Sequence, residues 1–531
     1  MDMDSYQEEL IKKISAITPF YIVGGTVRDH LLNRPGKDVD GIIPIPLEEL
    51  EKHLREWGYH PLKIGAKHQT LSVFQQGQRM DINFFDGDLE ADALRRDFTI
   101  NAVFQDARTG ELIDPLQGRE DLKNKLLRAC GNPWERFRED PVRILRMVRF
   151  SVQYGMDIEE DTFRSAQSLL PELKHVASER TSEELGRILT LADPAAGIRL
   201  LNELGYLTLY LPELVRLQGL AQNRYHTKDA WEHTLQVLAN TPPQPILRLA
   251  GLFHDLGKWE VASRECYVWG KCWAEDKGYY IGEYRILGRQ LHRYHGDYVE
   301  VHGTRLDHYP QVIQVKRIRK DPSCRRGFEW VRDGKRHFLG HEKESGRLTR
   351  QILARFRLAM VLGKEGEGGE KELLWLIENH MSGTLSFIAE LRGEGSALQL
   401  NQKVRQFVWE KGWDGRSYRL TRVDQLLELW RADFYGGKKR EPKEEQIFEE
   451  LLEKLHQTNK AVQKRHQELE WGELEKFAQE HKIKGREWGD FKESLRKTRV
   501  VSVDWIPLTT GFLEKEYKHF KGRNYAKRER E

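Results

Sequence analysis

Two aspartates preceded by a pair of glycines are the residues best suited to chemistry. Gly24 and Gly25 stand in the segment VGGTVRD, and Asp38 and Asp40 follow in KDVDG. Alternate residues of a strand share one face, so both carboxylates can bind the same cations. Carboxylate oxygens suit Mg²⁺, and glycines let the backbone approach a triphosphate without a side chain in the way. The pattern predicts two-metal phosphoryl transfer with Mg²⁺ and Asp81 as a candidate third carboxylate, although a lone Asp-x-Asp pair is more often two surface carboxylates.

The residues around these glycines and aspartates predict a sheet with helices. PFYIVGG indicates a short buried strand that ends in a glycine turn, and VRDHLLN indicates a helix. KDVDGII is predicted to be a second strand, TLSVFQQGQRMDINFF a hairpin and DALRRDFTINAVFQD a helical segment. The expected fold class is α+β, with a mixed or antiparallel sheet at the front.

Helical periodicity dominates after this sheet. It runs from about residue 134 to 216 and through DAWEHTLQVLA and ILRLAGLFHDLGK. Residues about 260–337 break the period, because Tyr, Trp, Val and Gly are frequent there, and they predict a β-rich insertion. Helical periodicity returns at GRLTRQILARFRLAM, and a charged linker after Tyr435 precedes a Glu- and Lys-rich helical end.

Length and composition exclude several classes of protein. A chain of 531 residues is too long for one core and predicts three or four modules. Apolar runs fall short of the roughly 20 residues that a membrane span needs, and the charged amphipathic start lacks the core of a secretion signal. We therefore expect a cytoplasmic protein with no membrane partner. Four irregularly spaced cysteines predict neither a disulfide framework nor a four-ligand zinc site.

The formal net charge of +3 does not by itself indicate a nucleic-acid partner. Basic residues with interleaved aromatics nevertheless cluster in three stretches: ERFRED to RMVRF, the segment between Arg285 and Arg336, and KHFKGRNYAKR at the end. Each stretch could follow a phosphate backbone, and a solvated surface is the alternative for any one of them.

Taken together, the motifs resemble the class II branch of the nucleotidyltransferase superfamily, the bacterial tRNA CCA-adding enzymes and poly(A) polymerases. GGTVRDHLLNRPGKDVD, LRRDFTINA, DPLQGREDL, REDPVRILRMVRF and ERTSEEL occur in the family's order over about residues 20–190. The resemblance implies a polymerase beta-like nucleotidyltransferase head that extends the 3′ end of RNA. Gln117 in DPLQGREDL stands where the family usually has glycine, a change that mainly affects the turn.

The resemblance also implies roles for individual residues. Asp38 and Asp40 would bind the metals. The residues near the nucleotide's phosphates and ribose would be Arg28, Arg96, Asp97 and Asn101. Asp140 and Arg143, with Arg146 beside them, would select the base, because a carboxylate accepts from an exocyclic amine and a guanidinium donates to a ring nitrogen or carbonyl. An ion pair between Asp140 and Arg143 within one helix is the alternative for that spacing.

Two departures from the family pattern narrow the substrate. GAKHQTLSV stands where bacterial poly(A) polymerases have a basic element, which favours tRNA as partner with CTP and ATP as nucleotides. The 16 positions from Asp81 to Asp97 leave little room for the flexible loop typical of enzymes that complete CCA. Related enzymes without that loop add only CC, so we expect CC addition, with a separate A-adding enzyme acting on the same tRNA. Full CCA addition and a poly(A) polymerase are the alternatives.

A second set of residues follows the ligand order of HD-type phosphohydrolases. The candidate metal ligands are His233, His254, Asp255, His341, His380 and Asp433. Imidazole and carboxylate suit a divalent metal that activates water against a phosphoester, including a 2′,3′-cyclic phosphate at an RNA end. The β-rich insertion separates HDLGK from GHE and is expected either to cap the metal pocket or to extend the RNA surface. A purely structural HD domain that supports tRNA is the alternative.

The expected organisation has four parts. They are a nucleotidyltransferase head over 1–130, a helical neck over 131–216, an HD-type helical body over 217–437 with the insertion at about 260–337, and a charged tRNA-binding tail over 438–531. Three classes of function stay open: an RNA 3′-end transferase, a phosphohydrolase with a degenerate head, and a non-catalytic RNA-binding protein. The intact DVD and RRD motifs disfavour the last.

Overall fold

The computed structural model divides the chain into two compact units, Met1–Pro212 and Glu213–Glu531. It describes residues 5–521 except 35–37, 65–69, 76–77, 222–228, 263–264, 275–277, 288–290, 295–297, 302–311, 320–327, 333–334, 357–365, 382–396, 413, 415–418, 438–439, 468–470, 484–486, 488–490, 492–494, 496–513, 515–516 and 519. Among the helices within these ranges, none has the length and apolar character needed to cross a membrane.

A seven-stranded sheet forms the centre of the first unit. Its strands are β1 Tyr21–Val23, β2 Val39–Ile43, β3 Leu62–Ile64, β4 Thr70–Gln75, β5 Gln78–Phe84, β6 Phe104–Asp106 and β7 Leu112–Ile113. Their order across the sheet is β3-β4-β5-β2-β1-β6-β7. Strands β2 and β5 are parallel, whereas the other neighbours are antiparallel. The sheet is therefore mixed, and the expected α+β fold class is confirmed.

Helices pack on this sheet and continue after it. They are α1 Ser5–Ile17, α2 Gly25–Leu31, α3 Leu47–Glu56, α4 Leu89–Leu94, α5 Gly118–Lys123, α6 Pro133–Glu139, α7 Arg143–Tyr154, α8 Glu160–Leu169, α9 Ser178–Leu189, α10 Pro194–Leu204, α11 Tyr206–Tyr210 and α12 Pro212–Val215. Helix α3 buries Leu47, Leu50 and Leu54, a helical spacing that gives it one apolar face. That face packs in the core against the sheet residues Val39 and Ile82.

The segment DALRRDFTINAVFQD is not the continuous helix that its sequence predicts. Helix α4 ends at Leu94, a 3₁₀ turn covers Thr99–Asn101, and β6 begins at Phe104. The carboxylate of Asp97 accepts hydrogen bonds from the Phe98 backbone N–H and the Asn101 amide. Those contacts, made by a buried carboxylate, hold the backbone out of the helix, so tertiary structure overrides local propensity here.

Gln117 stands where the family usually has glycine, and its backbone has a conformation that glycine adopts easily. Gln117 adopts φ 60° and ψ 30°, the left-handed region, immediately before α5 begins at Gly118. A Cβ on Gly118 would lie 2.1 Å from the Thr99 carbonyl oxygen, so that glycine cannot be replaced without moving the backbone. Glutamine at position 117 therefore costs backbone strain only, because the close contact with Thr99 involves Gly118 and not the Gln117 side chain.

The second unit is mainly helical. Its helices are α13 Ala230–Asn240, α14 Pro245–Phe253, α15 Gly257–Ala262, α16 His341–Phe356, α17 Gly366–Asn379, α18 Ala397–Gly412, α19 Leu420–Gly436, α20 Pro442–Gln467 and α21 Trp471–Glu480. Phe477 of α21 forms a small apolar cluster with described residues that follow this helix. They are Ile483, Phe491, Leu495 and Phe520. Much of residues 482–497 of the predicted tail lies outside the described residues, and so does much of the basic stretch KHFKGRNYAKR.

Seven strands lie between α15 and α16. They are β10 Glu265–Ala274, β11 Gly278–Leu287, β12 Leu291–Tyr294, β13 Tyr298–Val301, β14 Val312–Arg319, β15 Phe328–Arg332 and β16 Lys335–Leu339. Five of them form one sheet in the order β11-β10-β14-β13-β12, and β15 and β16 form a separate hairpin. Two further short strands, β8 Leu126–Leu127 and β9 Asp157–Ile158, pair in the first unit.

Candidate functional site

The central carboxylates of the site lie on the parallel strand pair. Asp40 of β2 is paired in register with Asp81 of β5, and Asp38 immediately precedes β2. Burial, followed by the charges of Asp81 and Asp38, raises the pKa of Asp40 to about 6. Carboxylates that share a partly buried site repel each other, and a divalent cation relieves that repulsion. Asp38 and Asp40 therefore fit Mg²⁺ by position and by donor type.

Asp81 has partners of its own. Its Oδ1 accepts from the Ser72 hydroxyl at 2.5 Å and from Arg79 Nε at 2.7 Å, and Arg79 Nη2 lies 2.6 Å from Oδ2. The structure thus brings the predicted third carboxylate beside Asp40 but pairs it with a guanidinium. Arg79 therefore competes with a metal for the Asp81 carboxylate, which has a lone pair left on Oδ2.

The glycine turn lies directly against these carboxylates. Gly24 has φ +73°, a conformation that favours glycine, and a Cβ built on it would lie 3.6 Å from Asp40 Oδ2 and 3.8 Å from Arg96 Nη1. A Cβ on Gly25 would lie 3.4 Å from Arg28 Nη2. The turn, the predicted metal-binding Asp40 and the two predicted phosphate-binding arginines are therefore neighbours.

Thr26 fixes the segment that carries the two aspartates, and sequence reasoning did not single it out. Its hydroxyl accepts from the Asp40 backbone N–H at 3.0 Å and donates to the Asp38 carbonyl at 3.2 Å. A threonine after a glycine pair is the available signal, since its hydroxyl can satisfy backbone groups of a neighbouring strand.

Four predicted nucleotide-contacting residues form a chain of hydrogen bonds. Arg28 Nη1 donates to Asn101 Oδ1 at 2.6 Å, and Asn101 Nδ2 donates to Asp97 Oδ1 at 2.9 Å. Arg146 donates to Asp97 Oδ2 through Nε at 2.8 Å and Nη2 at 2.5 Å. Burial would raise the pKa of Asp97, but Arg146 and Asn101 hold it below its ordinary value. Asp97 is therefore negatively charged. It holds Arg146 directly and Arg28 through Asn101.

Tyr154, at the end of α7, supports Arg28 in two ways that the sequence did not indicate. Its hydroxyl donates to Asp29 Oδ1 at 2.9 Å, and Asp29 in turn accepts from Arg28 Nε. The Arg28 guanidinium also lies 4.6 Å from the centre of the Tyr154 ring.

We expect Tyr154→Phe to raise the KM for the nucleotide about tenfold with little change in kcat, because it removes one hydrogen bond to a charged pair and keeps the ring. Steady-state kinetics with CTP checks this. Tyr210→Phe is the control, since Tyr210 bonds the Leu170 carbonyl within the helical part. Equal effects of the two substitutions, or a fall in kcat alone, would contradict a role in positioning Arg28.

Asp140 and Arg143 have separate partners. Asp140 Oδ2 accepts from Arg180 Nη2 at 2.7 Å, and Arg143 Nη1 donates to Glu139 at 2.8 Å. Arg143 Nη2 also donates to the Arg95 carbonyl at 3.0 Å. The alternative of an Asp140–Arg143 ion pair is not among the ion pairs of the described residues. Arg180 and the Arg95 carbonyl, both distant in sequence, thus hold Asp140 and Arg143, whereas Glu139 is a local partner of Arg143.

Arg180 of ERTSEEL positions Asp140, so we expect Arg180→Ala to lower selectivity for CTP over UTP about tenfold. Cytosine and adenine present an exocyclic amine to a carboxylate, whereas uracil does not. Competition between the two nucleotides measures this ratio. Arg164→Ala, which removes an exposed arginine paired with Glu160, is the control. Arg180→Lys should restore part of the selectivity. An unchanged CTP:UTP ratio in Arg180→Ala would contradict the role of Arg180 in positioning Asp140.

A cavity of about 580 Å³ adjoins the carboxylates. Ile42 and Asn83 line it, and each stands two residues beyond Asp40 or Asp81 on the same sheet face. Arg96 lines it as well and contributes a guanidinium held by Asp92 at 2.7 Å. The volume is in the range of small-molecule sites and leaves room for a nucleotide unit.

All six candidate ligands of the second site converge in the second unit. His233, His254 and Asp255 have ligand atoms within 4.8 Å of one another, and so have Asp255, His341 and His380. Asp433 Oδ1 lies 3.0 Å from His233 Nε2 and 3.8 Å from His254 Nε2. The sequence prediction grouped residues from helices far apart in the chain, and the fold brings them to one point.

The four histidines share one orientation. Each Nδ1 hydrogen-bonds a backbone carbonyl, those of Gly436, Gly251, Phe338 and Ile377 for His233, His254, His341 and His380. A carbonyl accepts only, so each Nδ1 carries a proton, and the Nε2 lone pair is left for a ligand when the imidazole is neutral. The Nε2 atoms face Asp255 at 3.1 to 3.9 Å. This donor set fits a divalent transition metal.

Groups of opposite charge lie next to each other in the buried part of this cluster, around Asp255. Burial would raise the pKa of Asp255, but His254 and Lys258 hold it well below its ordinary value. Lys258 Nζ lies 2.5 Å from Asp255 Oδ2 and was not predicted; its signal was the lysine of HDLGK. Burial lowers the pKa of His380 to about 3, so that imidazole is neutral and able to bind metal. Asp433 is 31% exposed and marks the open side.

A mixed sheet that presents paired carboxylates beside a glycine turn is the arrangement expected for a nucleotidyltransferase head. Residues 20–88 and 82–128 match the family described as "Poly A polymerase head domain", and residues 155–217 match "Probable RNA and SrmB- binding site of polymerase A". This amino-terminal part is therefore similar to class II tRNA nucleotidyltransferases and poly(A) polymerases.

Curated relatives carry the description "Multifunctional CCA protein". The one from Laribacter hongkongensis (strain HLHK9) is 35% identical over 260 residues, which are 45% of this chain and 62% of the relative. The one from Aliivibrio salmonicida (strain LFI1238) is 36% identical over 266 residues, 45% of this chain and 63% of the relative. The chain thus spans less than two thirds of the length of these relatives.

Solved structures share the fold over nearly the whole chain. The "Crystal structure of Bacillus stearothermophilus CCA-adding enzyme in complex with CTP" has a TM-score of 0.54 at 21% identity, with 99% of this chain and all of that chain covered. The "Thermotoga maritima CCA-adding enzyme complexed with tRNA_CCA" has a TM-score of 0.52 at 18% identity, with 97% and 95% covered. At these identities the likeness concerns the fold alone.

Proposed function

We propose that this protein adds C residues to the 3′ end of tRNA without a nucleic-acid template. The observation that carries the proposal is the register of Asp40 with Asp81, beside the Gly24–Gly25 turn. The similarity to proteins described as CCA enzymes supports tRNA as acceptor and CTP and ATP as nucleotides.

The side chains present suit an in-line transfer in which the RNA 3′ oxygen attacks the α-phosphate and pyrophosphate leaves. Mg²⁺ held by Asp38 and Asp40 would supply activation of the hydroxyl and neutralise the leaving charge. The Gly24–Gly25 turn admits the triphosphate, and Arg28 and Arg96 place positive charge beside it. Asp140 and Arg143 read the Watson–Crick edge of the incoming base.

We propose that addition stops after two C residues and that a separate A-adding enzyme completes the tRNA. Support comes from the short connection between β5 and α4, which consists of residues 85–88 only. Asp88 accepts hydrogen bonds from the Glu90 and Ala91 backbone N–H groups and fixes the start of α4. A connection of this length cannot move far enough to reset the base pocket from C to A.

Primer extension tests the proposal. The full-length protein is incubated with Mg²⁺ and tRNA transcripts that end before C74, at C74 or at C75, with CTP, ATP or both, and products are resolved to single nucleotides. Extension by two C residues with ATP present supports CC addition, and a further A makes the protein a full CCA enzyme. Repeated A addition to unrelated RNA identifies a poly(A) polymerase instead. No extension of any substrate refutes a transferase.

We infer a second candidate activity for the second unit, hydrolysis of a phosphoester at an RNA end. It is favoured by the convergence of His233, His254, Asp255, His341, His380 and Asp433 with their Nε2 and carboxylate oxygens at metal-binding distances. A divalent metal there would supply an activated water, and the open side at Asp433 gives a terminal 2′,3′-cyclic phosphate a route in. A cluster that supports tRNA without catalysis predicts tRNA binding and no hydrolysis of the terminal phosphoester.

A further inference from the structure

The sheet face that carries the carboxylates of the first unit continues onto two outer strands. Residues paired across neighbouring strands share a face. Asp40 of β2 is paired with Asp81 of β5. Asp81 is paired with Ser72 of β4, which is paired in turn with Leu62 of β3, the strand at the edge of the sheet. One row of side chains therefore connects the predicted metal-binding carboxylates to the edge strand.

Three large apolar side chains on this face are exposed, and we name them the edge patch. They are Leu62 and Ile64 of β3 and Phe74 of β4, with exposed fractions of 56%, 39% and 52%. Leu62 and Ile64 are two residues apart, and Phe74 stands two residues beyond Ser72. Since alternate residues of a strand share a face, all three lie on the face of Asp81.

The other face of the same strands is buried in the protein core. Leu71 and Val73 of β4 are buried there in one cluster with Leu50 and Leu54 of α3. That face accounts for the folding of the sheet, whereas the edge patch adds little to it. Apolar side chains exposed on an edge strand also favour aggregation, and native sheets normally avoid them. An apolar patch exposed beside a candidate site therefore indicates a ligand.

The chemistry of the proposed transfer predicts which ligand reaches the edge patch. The groups predicted to contact the triphosphate, the Gly24–Gly25 turn and Arg28, follow β1, and β1 lies on the side of β2 away from β5. In an in-line displacement the attacking oxygen lies opposite the leaving pyrophosphate. The acceptor oxygen therefore approaches Asp40 from the side of β5, where β4 and the edge patch follow.

We propose that the edge patch holds the 3′-terminal nucleotide of the RNA acceptor, with its base stacked on Phe74. An aromatic ring stacks on any base, and a cation beside the ring attracts the phosphate. The Arg79 guanidinium lies 5.6 Å from the centre of the Phe74 ring and pairs with Asp81. Phe74 lies about 7 Å along β4 from the row of Asp81, which is within the span of one nucleotide. The inference rests on the proposed transfer to tRNA and names the side chain that would position the acceptor.

A second copy of the chain is the alternative occupant of the edge patch. Each partner of a stable complex contributes roughly 800 Å² of surface, far more than three partly exposed side chains provide. The patch also adjoins Asp81 and Arg79, whereas the interior of a protein–protein interface is depleted of charged residues. The size and the charge of this surface therefore favour a nucleotide over a protein.

Steady-state CMP transfer by the full-length protein to a tRNA transcript without CCA, at saturating CTP, tests the proposal. Phe74→Leu keeps an apolar side chain and loses the ring, so it is expected to lower kcat/KM for the tRNA about tenfold. Phe74→Trp keeps a ring and should leave kcat/KM for the tRNA unchanged or raise it. The KM for CTP should be the same in both variants. Leu209→Ala is the control, because Leu209 of α11 is exposed to the same extent in the same unit.

An acceptor whose last nucleotide lacks its base but keeps the 3′ hydroxyl separates stacking from a general packing effect. With the unchanged protein this acceptor should lower kcat/KM about tenfold. Phe74→Leu should then cause no further loss, because the effects of two groups in contact are not additive. The proposal is overturned if Phe74→Leu lowers kcat/KM equally on both acceptors, or if it matches Leu209→Ala on the complete acceptor.

Crosslinking locates the terminal base without any variant, and it decides if Phe74→Leu does not fold. A tRNA with 4-thiouridine as its last nucleotide is expected to crosslink to a peptide that contains Phe74, and crosslinks to other peptides alone overturn the proposal. A dimer that Phe74→Leu dissociates overturns it as well, because the edge patch is then a protein interface. Failure of the proposed function is distinct: the unchanged protein then transfers no CMP to any acceptor, and the inference falls with it.

Discussion

Replacing Asp40 by asparagine is expected to lower the rate of CMP transfer to tRNA about a thousandfold, since loss of a metal ligand removes several kcal/mol of stabilisation from the transition state. The substitution keeps the size of the side chain and leaves the backbone bond to Thr26 in place. It also removes a carboxylate whose pKa is raised to about 6 by burial and by Asp81 and Asp38, so the folded protein should not lose stability. Single-turnover extension of a tRNA that lacks CCA measures the rate.

Asp161→Asn is the matched control for this substitution, because Asp161 is an exposed carboxylate of α8 in the same unit. Its transfer rate should equal that of the unchanged protein. Thermal unfolding of both variants separates a catalytic effect from a folding defect. A rate for Asp40→Asn within tenfold of the unchanged protein, with Mg²⁺ saturating, would falsify the assignment of Asp40 as a metal ligand.

The strands and the glycine turn that carry the first site can be predicted from local sequence, whereas the pairing of the strands cannot. The alternation in β4 and β5 and the glycine turn after β1 are sequence signals that the structure reproduces. The parallel pairing of β2 with β5 is not, because it joins segments separated by α3 and two further strands. That pairing places Asp81 opposite Asp40, and it follows from tertiary packing rather than from any short motif.

Motifs identify the residues of the sites better than they identify what holds them. The spacing of Asp38 and Asp40 predicts a shared metal, and the ligand order predicts the six-residue cluster. The supporting contacts of Thr26, Tyr154 and Arg180 join segments that are not adjacent in sequence. Tyrosine at the end of a helix is commonly a core residue, so only the positions of Asp29 and Arg28 in the fold reveal its role.

Replacing Asp255 by asparagine is expected to abolish metal binding at the histidine cluster and to slow hydrolysis of an RNA 2′,3′-cyclic phosphate to the 2′- or 3′-phosphomonoester at least a hundredfold. Asp255 is the one residue common to both groups of convergent ligands, so its loss disrupts the two together. Lys258 would also lose its ion pair at 2.5 Å, which leaves a buried ammonium beside four imidazoles and repels a cation. Metal content after dialysis and conversion of the cyclic phosphate to the phosphomonoester with Mn²⁺, Co²⁺ or Mg²⁺ measure the two effects.

The same variant separates the two proposed activities, because CMP transfer would depend on the carboxylates of the first unit and should be retained. Glu260→Gln is the matched control: it removes one negative charge from the neighbouring helix α15, where Glu260 pairs with Arg216 at 2.9 Å, and leaves all six ligands intact. Metal content equal in Asp255→Asn and Glu260→Gln would refute the metal site. Metal lost without any change in hydrolysis of the cyclic phosphate would instead make the cluster structural, since a metal that activates the attacking water cannot be removed without cost to hydrolysis.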